Sequence, residues 1–166
     1  MKKPARVPIG FASPVDMHAV VSVLAEAAGW MSAKGTPAWD ASSLTEAFVA
    51  PFIARSELLV ARSDDVIVGV CTLARSDPEF WPDAPAGFAA YLHKLAVRRT
   101  HAGGTVTPRL VKRCSSLARA WGCSMLRLDC HPNLRSLYER LGFSYVDTSF
   151  PRPDNAFVVD QLQLQL

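Results

Sequence analysis

The sequence Tyr91-Leu-His-Lys-Leu-Ala-Val97 opens the stretch that decides the fold. It continues through Arg98-Arg-Thr-His-Ala-Gly-Gly-Thr-Val106 and ends in Tyr138-Glu-Arg-Leu-Gly-Phe143. The first segment is apolar enough for a strand, and the glycine-containing loop leads into a helix predicted over 107–121. A glycine turn followed by a helix start directs backbone N–H groups and the positive end of the helix dipole to one point. This combination suits a phosphate group.

The distribution of charge also favours a polyanionic ligand. The chain has 166 residues and a net charge of only +3. No acidic residue lies between Asp83 and Asp129. Like charges that are close together in the sequence usually either bind an anionic partner or lie on a solvated helix face. We favour a phosphate-bearing partner over the solvated face. The basic residues of this interval are Lys94, Arg98, Arg99, Arg109, Lys112, Arg113, Arg119 and Arg127.

Hydrophobic periodicity predicts an alternation of strands and helices along the whole chain. Ser13-Pro-Val-Asp16 and Ser43-Leu-Thr-Glu46 have the composition of helix-starting capping boxes, and Ser63-Asp-Asp65 that of a hairpin turn. The proline-rich loop 75–88 is long, as functional loops often are. A turn is predicted at Pro151–Asn155 between the last two strands. Strands are predicted over 6–11, 57–62, 66–74, 89–97, 124–130, 143–150 and 156–166, and helices over 14–31, 44–53, 107–121 and 133–141.

This order of elements resembles that of the GNAT N-acetyltransferase superfamily. The most specific part of the resemblance is the ending Tyr138-Glu-Arg-Leu-Gly-Phe143. The resemblance covers nearly all of the chain and implies one acyltransferase domain over 1–166. It implies an α/β (α+β) fold with a mixed, mostly antiparallel twisted sheet of about six or seven strands and about four helices on both faces. It also implies an acetyl-CoA-dependent N-acetyltransferase.

The resemblance places the pyrophosphate of acetyl-CoA on a Gln/Arg-x-x-Gly-x-Gly/Ala signature at Ala102–Thr107. Ala102, Thr105 and Thr107 depart from that signature, and the glycines come one or two positions early. A threonine hydroxyl can donate to a phosphate oxygen but does not allow the close backbone approach that glycine allows. Since Pro108 removes one amide donor as well, we expect weakened rather than abolished binding. The implied cofactor contacts are Leu95, Ala96, Val97, Gly103, Gly104, Thr105, Val106, Thr107 and Asn133. Within this set the small side chain of Ala96 leaves room for the pantetheine arm.

The resemblance gives Tyr138 the position from which a tyrosine hydroxyl protonates the sulfur of CoA. A free phenol has a pKa of about 10, close to that of a thiol, so it can share a proton with a thiolate. The alternative is a packing role on the core face of its helix. The place of the family's pantetheine-binding asparagine is filled by Asn133 or His131. Four residues are candidates for the general base: Asp77, Glu79, His93 and Asp129. Among these side chains an imidazole has the ordinary pKa nearest neutral pH.

The acceptor side is expected in the segment 30–40 and the loop 75–88. Aromatic and acidic side chains there suit a cationic amine through cation–π and ionic contacts, although ordinary loop packing is the alternative. We therefore predict a small-molecule amine substrate held near the loop from Asp77 to Asp83. The residues concerned are Trp30, Trp39, Phe80 and Trp81 with Asp40, Asp77, Glu79 and Asp83.

Other classes of function have less support. The four cysteines and four histidines show no metal-ligand spacing, so we expect no metal. The basic interval lacks interleaved aromatic residues, which makes nucleic-acid binding unlikely. Without an apolar run of about 18 residues or a signal-peptide core, the chain is expected to be cytoplasmic and not bound to a membrane. A homodimer stays open. The altered signature also suggests a second hypothesis, a non-catalytic acyl-CoA-binding or sensing module.

Overall fold

The computed structural model describes residues 7–150 and 158–166. Within these residues the strands are β1 Ile9–Phe11, β2 Leu58–Ser63, β3 Val66–Ala74, β4 Ala89–Val97, β5 Met125–Cys130, β6 Ser144–Ser149 and β7 Val159–Gln165. The α-helices are α1 Met17–Ala33, α2 Glu46–Ala54, α3 Val106–Ala120 and α4 Arg135–Glu139. The strands form one sheet in the order β1-β2-β3-β4-β5-β7-β6. β4 and β5 run parallel, whereas β1–β2, β2–β3, β5–β7 and β6–β7 are antiparallel. This confirms the predicted mixed, mostly antiparallel sheet with four helices.

Of the two predicted capping boxes, the structure confirms the first and contradicts the second. Asp16 Oδ2 accepts from the N–H of Ser13 at 2.8 Å, as the third residue of a capping box does, and also from the hydroxyl of Ser13 at 3.0 Å. The second predicted box is wrong, because Thr45 caps α2 by accepting from the N–H of Phe48 at 3.2 Å. Ser43 instead ends a 3₁₀ turn that is capped by Asp40. The two capping residues, Asp40 and Thr45, are only five positions apart, and Asp40 caps the short 3₁₀ turn that precedes α2.

The ends of other elements also differ from the prediction. The last helix spans Arg135–Glu139 and follows a 3₁₀ turn over Pro132–Leu134, where a single helix over 133–141 was expected. Proline at the first position of the turn fixes its tight start. The hairpin turn is confirmed between β2 and β3, with Asp64 and Asp65 both at positive φ. The predicted turn at 151–155 and the start of the first strand at residue 6 lie outside the described residues.

The chain forms two compact units. The first comprises the residues up to Thr72 together with Lys94–Arg113, and the second comprises Leu73–His93 together with the residues from Cys114 onward. In the first unit, α1 and α2 bury apolar side chains at helical spacing against β2 and β3. This core includes Val20, Val23, Leu24, Ala28, Val49, Ile53, Leu58, Val60, Val70 and Ala96.

The second unit has a small aromatic core and a buried charged pair. Trp81, from the loop 75–88, packs on Tyr91 with ring centroids 6.4 Å apart. Asp160 on β7 is almost fully buried and accepts from Arg135 Nε at 2.7 Å and from Thr148 Oγ1 at 2.8 Å. Burial raises the pKa of Asp160, but these hydrogen bonds outweigh it and hold that pKa below its ordinary value. Asp160 thus ties α4 to β6 and β7 as a carboxylate.

All four cysteines are free and buried. Burial, followed by the nearby carboxylates of Asp160 and Asp129, raises the pKa of Cys130 to about 12. That thiol is therefore not a nucleophile near neutral pH.

Across residues 7–150 and 158–166, no helix has both the length and the apolar character needed to cross a membrane.

We expect the substitution Asp160→Asn to lower the free energy of unfolding at pH 7 by about 1.5–3 kcal/mol, the usual value for hydrogen bonds to a charged group. The folded pKa of Asp160 lies below its unfolded value of about 3.9. Its stabilisation is therefore complete above pH 4 and disappears as the pH falls through the folded pKa. Urea unfolding of both proteins between pH 3 and 7 measures this difference.

The matched control is Asp147→Asn, an exposed position on β6 whose Oδ1 accepts from the N–H of Thr148. An asparagine keeps that acceptor, so the control should stay within about 0.5 kcal/mol of the parent. A loss in the Asp160 variant that is equal at pH 3 and pH 7 would contradict the assigned charge.

Candidate active site

Strand β4 carries an unusual backbone conformation in its interior. Lys94 has φ of +52°, a left-handed conformation that is uncommon for a residue other than glycine. The ammonium group of Lys94 lies 5.3 Å from the ring centre of Trp39 and 5.8 Å from that of Phe48. His93 is the preceding residue. Such outliers are kept where the surroundings hold them and often accompany a functional site.

The loop from β4 to α3 is held by one carboxylate of α1. Glu26 Oε2 accepts from Arg98 Nη1 at 2.7 Å, and Oε1 accepts from the N–H of Arg99 at 2.8 Å. The N–H of Arg99 and then the guanidinium of Arg98 lower the pKa of Glu26. Arg98 also donates to the carbonyl of Ile67 at 3.2 Å and to Ser22 Oγ at 3.1 Å. The loop therefore has a defined path before the helix begins.

The glycine turn lies at the N-terminus of α3, as the sequence predicts. Gly103 has φ of +74°, and residues 103–105 are exposed. The carbonyl of Thr105 accepts from the N–H of Arg109 at 3.1 Å, which makes Thr105 the N-cap of a helix that starts at Val106. The first N–H groups of any helix have no acceptor within the helix. The predicted phosphate-binding segment is thus an exposed turn followed by a helix start, whose first N–H groups have no acceptor within the helix.

Gly69 allows α3 to approach β3 closely, and the sequence analysis overlooked it. A Cβ atom at this position would lie 2.7 Å from Val106 Cγ1 and 3.2 Å from Leu110 Cδ1. Real Cβ atoms do not reach 2.7 Å, so a side chain at this position would force the Val106 and Leu110 side chains at the start of α3 to move. An isolated glycine inside a strand is the signal that could have revealed this close contact.

The basic interval does not form the single surface that its sequence suggests. Arg98 is paired with Glu26, and the guanidinium of Arg99 lies 3.9 Å from the ring centre of Trp30. In the second unit the Arg127 guanidinium lies 4.3 Å from the ring centre of Trp81. The basic residues that share the exposed face of α3 are Arg109, Lys112, Arg113 and Arg119.

The other residues predicted to contact the cofactor differ in their exposure to solvent. Leu95 and Val97 on β4 are half-buried. Ala96 is 4% exposed, and its side chain belongs to the core of the first unit. Asn133 is exposed, and its backbone N–H donates to Nδ1 of His131 at 3.2 Å. His131 therefore acts as the cap of the 3₁₀ turn.

Tyr138 is buried on α4 and packs against the other end of its own motif. Its ring meets Phe143 edge to face, with centroids 6.0 Å apart and planes at 77°. The carbonyl of Tyr138 also accepts from the N–H of Phe143 at 3.1 Å. The contacts between Tyr138 and Phe143 thus hold the end of α4 together. They involve the ring and the backbone carbonyl of Tyr138, and not its hydroxyl.

Three of the four candidate bases come together in the second unit. His93 Nε2 lies 3.0 Å from Asp77 Oδ2, and His93 Nδ1 lies 3.3 Å from Asp129 Oδ1. The side chains are 22%, 7% and 11% exposed for His93, Asp77 and Asp129. Glu79, the fourth candidate, is exposed. We call Asp77, His93 and Asp129 the Asp–His–Asp cluster.

Each predicted acceptor segment borders a cavity within one unit. In the second unit a cavity of about 640 Å³ lies between loop residues 80–85, residues 147–150 and the side chains of Arg127 and Gln161. We call it the loop cavity. In the first unit a cavity of about 620 Å³ lies between residues 28–33 and 37–41.

The aromatic residues near these cavities already contact cations of the chain. Arg99 lies over Trp30, Lys94 over Trp39 and Arg127 over Trp81. One face of each of these rings is therefore occupied by a cation of the chain itself, and their predicted contact with a cationic substrate stays a prediction. Trp81 lines the loop cavity, and its buried Nε1–H has no acceptor in the described part of the chain.

The left-handed residue of β4, the fixed glycine turn and the helix start all lie within the segment that this chain shares with a known protein family. The model of the Acetyltransferase (GNAT) family matches residues 24–143. Because this match covers more than half of the chain, the chain belongs to the GNAT family.

Individual proteins resemble this chain in sequence or in fold. The chain is 54% identical over 63 residues to an uncharacterised Escherichia coli protein encoded in the sul1 3′ region, a match that covers 38% of this chain and 81% of the relative. It is 24% identical over 140 residues to the uncharacterised N-acetyltransferase YesJ of Bacillus subtilis strain 168, covering 79% and 78% of the two chains. The PaiA N-acetyltransferase of Thermoplasma acidophilum, solved with coenzyme A, has the same fold with a TM-score of 0.76 and 18% identity. That likeness covers 97% of this chain and 99% of the other.

We expect Gly69→Ala to lower the free energy of unfolding by about 1–3 kcal/mol, the usual cost of an extra methyl group in a filled core. The added methyl group would push the first turns of α3 away from β3. Amide hydrogen exchange in α3 should therefore become faster, which a purely global loss of stability would not confine to this helix. Urea unfolding and hydrogen-exchange mass spectrometry measure the two effects.

The matched control is Gly10→Ala on β1, where an added Cβ meets no heavy atom within 4 Å. We expect it to unfold like the parent protein. Equal behaviour of the two variants would show that the approach of α3 to Gly69 is not restrictive.

Proposed function

We propose that this chain is an acetyl-CoA-dependent N-acetyltransferase that transfers the acetyl group to a small-molecule amine by direct attack. The observation that carries the proposal is the open start of α3 at Gly103–Thr107, on a loop that Glu26 holds in place. Membership of the GNAT family and the coenzyme A complex of the Thermoplasma protein support the same reading.

The charge arrangement on α3 adds a physical reason for an anionic ligand. The first turn of a helix carries the positive end of its dipole, so cations are unfavourable there. Arg109 nevertheless lies at the end of the first turn of α3 and is exposed. A pyrophosphate at the helix start would offset both the dipole and this cation. The hydroxyl groups of Thr105 and Thr107 would add donors where the family has small residues.

The remaining roles follow from the family and the positions of the residues. The thioester of acetyl-CoA supplies the activated acetyl group. The backbone of Leu95–Val97 holds the pantetheine arm in the manner of an added strand, with Asn133 as a further contact. Tyr138 donates its phenolic proton to the leaving thiolate, which avoids the release of an unstable anion.

The loop cavity is our choice for the acceptor. Its volume of about 640 Å³ lies within the usual range for small-molecule sites. Asp83 and Asp147 are exposed carboxylates in its wall, which suits a molecule that carries an ammonium group. Asp77 does not line this cavity and belongs to the Asp–His–Asp cluster instead. The carboxylates of the acidic loop therefore lie at two different places.

Isothermal titration calorimetry with acetyl-CoA tests the cofactor half of the proposal. We expect measurable binding at low ionic strength that weakens as salt screens the cations of α3. Thr105→Gly should strengthen the affinity by up to about tenfold, because the phosphate could approach the backbone more closely. Glycine at an N-cap costs only a few tenths of a kcal/mol relative to threonine.

The outcomes separate the two hypotheses. Absence of heat at millimolar acetyl-CoA and low salt would refute acetyl-CoA binding. Binding without turnover on a panel of primary amines would favour the non-catalytic acyl-CoA-binding or sensing module instead. Binding with release of free thiol in proportion to acetylated amine would establish the transferase.

We expect Tyr138→Phe to reduce kcat by about 10²–10⁴-fold, the usual contribution of general acid catalysis, with little change in acetyl-CoA affinity. The hydroxyl acts in the transition state, so its loss affects turnover more than binding. Tyr145→Phe, which removes an exposed hydroxyl on β6 bonded to Thr148, is the control and should keep its kcat. If Tyr138→Phe kept full turnover, the residue would serve only in packing.

A further inference from the structure

We propose that the loop cavity takes a substrate amine that also carries an anionic oxygen group, a carboxylate or a phosphate, and that Arg127 binds this group. The inference rests on the proposed function and names the class of amine that the same cavity would select. Arg127 lines the loop cavity together with the carboxylates of Asp83 and Asp147. A cation in the wall is unfavourable for a purely cationic amine, because like charges repel. The presence of both signs of charge therefore indicates a ligand that carries both.

The strand register places the charges on one face of the sheet. Arg127 on β5 is the register partner of Gln163 on β7, and Asp147 on β6 is the partner of Gln161. Gln161 and Gln163 are two residues apart on β7, so the side chains at these four positions share a face. Since β7 lies between β5 and β6, about 10 Å of sheet separates the backbones of Arg127 and Asp147. Two strands that do not pair with each other thus supply opposite charges to one cavity.

The guanidinium of Arg127 is held in place by aromatic rings. It lies 4.3 Å from the ring centre of Trp81 and 4.9 Å from that of Phe88. Its Nε donates to Gln163 Oε1 at 3.2 Å. An arginine can stack on aromatic rings and still present a rigid fork of N–H donors to a carboxylate or a phosphate. These contacts therefore fix the position of Arg127 without engaging its terminal NH₂ groups.

Arg127 has no anionic partner among residues 7–150 and 158–166. The bond to Gln163 is its one hydrogen bond in this part of the chain, and no carboxylate there forms an ion pair with it. By contrast, Arg135 of the same unit pairs with Asp160 at 2.7 Å. Donors of a half-buried cation are costly to leave without an acceptor. An anionic oxygen group of a ligand would accept two parallel hydrogen bonds from them.

The rest of the wall suits a carbon skeleton that joins the two charged ends of a ligand. Aromatic rings and prolines line it, namely Phe80, Trp81, Pro82, Pro85 and Phe150. A simple alkylamine would leave Arg127 without an anion. A polyamine would place a further cation near it, and such a contact between like charges selects against a ligand. An amino acid or a phosphorylated amine fits the whole wall better than either.

Matched pairs of amines test this class directly, because the two members of a pair differ only in the anionic group. The pairs are γ-aminobutyrate with propylamine, L-phenylalanine with phenethylamine, and phosphoethanolamine with ethanolamine. At saturating acetyl-CoA we expect the anionic member to have a kcat/KM that is about ten- to hundredfold higher, the usual effect of hydrogen bonds to a charged group. The pair with the largest preference distinguishes a carboxylate from a phosphate. Equal values within every pair, or higher values for the anion-free members, would overturn the inference.

The substitution Arg127→Gln tests which residue binds the anion. It should lower kcat/KM for the anionic member about ten- to hundredfold more than for its anion-free counterpart. Comparing this ratio between variant and parent cancels the difference in acidity between the two amines. Arg127→Lys keeps the charge but loses the fork, and should fall between the parent and Arg127→Gln.

The matched control is Arg75→Gln. It removes another arginine of the same unit that lies over a ring, 4.1 Å from the centre of Trp121, but that does not line the loop cavity. We expect this variant to keep the preference of the parent within each pair. A preference that also survives Arg127→Gln would show that another residue binds the anion.

A binding measurement does not depend on turnover. Nitrogen-15 NMR of the parent protein follows the side-chain Nε–H of Arg127 while either member of a pair is added, with and without coenzyme A. The spectrum of Arg127→Gln assigns this signal. The anionic member should shift it at a concentration about ten- to hundredfold lower than its counterpart does. Anionic amines that leave the signal in place, or that bind no more tightly than their counterparts, would overturn the inference even if the variants do not fold.

The two proposals fail in different ways. A parent protein that acetylates the anion-free amines as well as their anionic counterparts keeps the proposed function and overturns the inference alone. A parent that binds anionic amines at Arg127 but releases no thiol from acetyl-CoA contradicts the transferase and supports the anion site. A parent that neither binds nor acetylates any member of the pairs contradicts both.

Discussion

The ion pair between Glu26 and Arg98 is the interaction on which the proposed cofactor site depends. One carboxylate of α1 binds both the guanidinium of Arg98 and the backbone N–H of Arg99, and so fixes the path from β4 to α3. Its pKa is lowered by these same donors, which keeps Glu26 charged near neutral pH. Without this anchor the turn at Gly103 would have no fixed direction, and an open helix start binds phosphate well only when it is preorganised. The close packing of α3 on Gly69 fixes the other side of the same helix start.

The parts of the fold that sequence reasoning predicts correctly depend on short-range chemistry. Ser13 and Asp16 bond within one turn, and Asp64 and Asp65 take the positive φ values of a two-residue hairpin turn. These outcomes need no knowledge of distant residues. The error at Ser43 shows the limit, because Thr45 lies two positions away and is an equally good cap. When several capping residues compete, tertiary packing of α2 decides among them.

The candidate site was less accessible to prediction, because its contacts join distant segments. The sequence shows four possible bases but not that Asp77, His93 and Asp129 meet. It shows a run of basic residues but not that Glu26, far back in the chain, neutralises Arg98. A charge count records the sign of a segment, whereas the partners of each charge follow from the sheet order. For the same reason aromatic residues that looked available for a substrate turned out to lie against internal cations.

A left-handed residue lies in the interior of β4, where one compact unit of the chain ends at His93 and the other resumes at Lys94. Such a conformation at a residue other than glycine costs on the order of 1–3 kcal/mol and persists only where its surroundings enforce it. The surroundings of Lys94 within its own unit include the rings of Trp39 and Phe48, which lie 5.3 and 5.8 Å from its ammonium group. A regular strand would avoid the cost, so the contacts of Lys94 are the part of the structure that has to offset it.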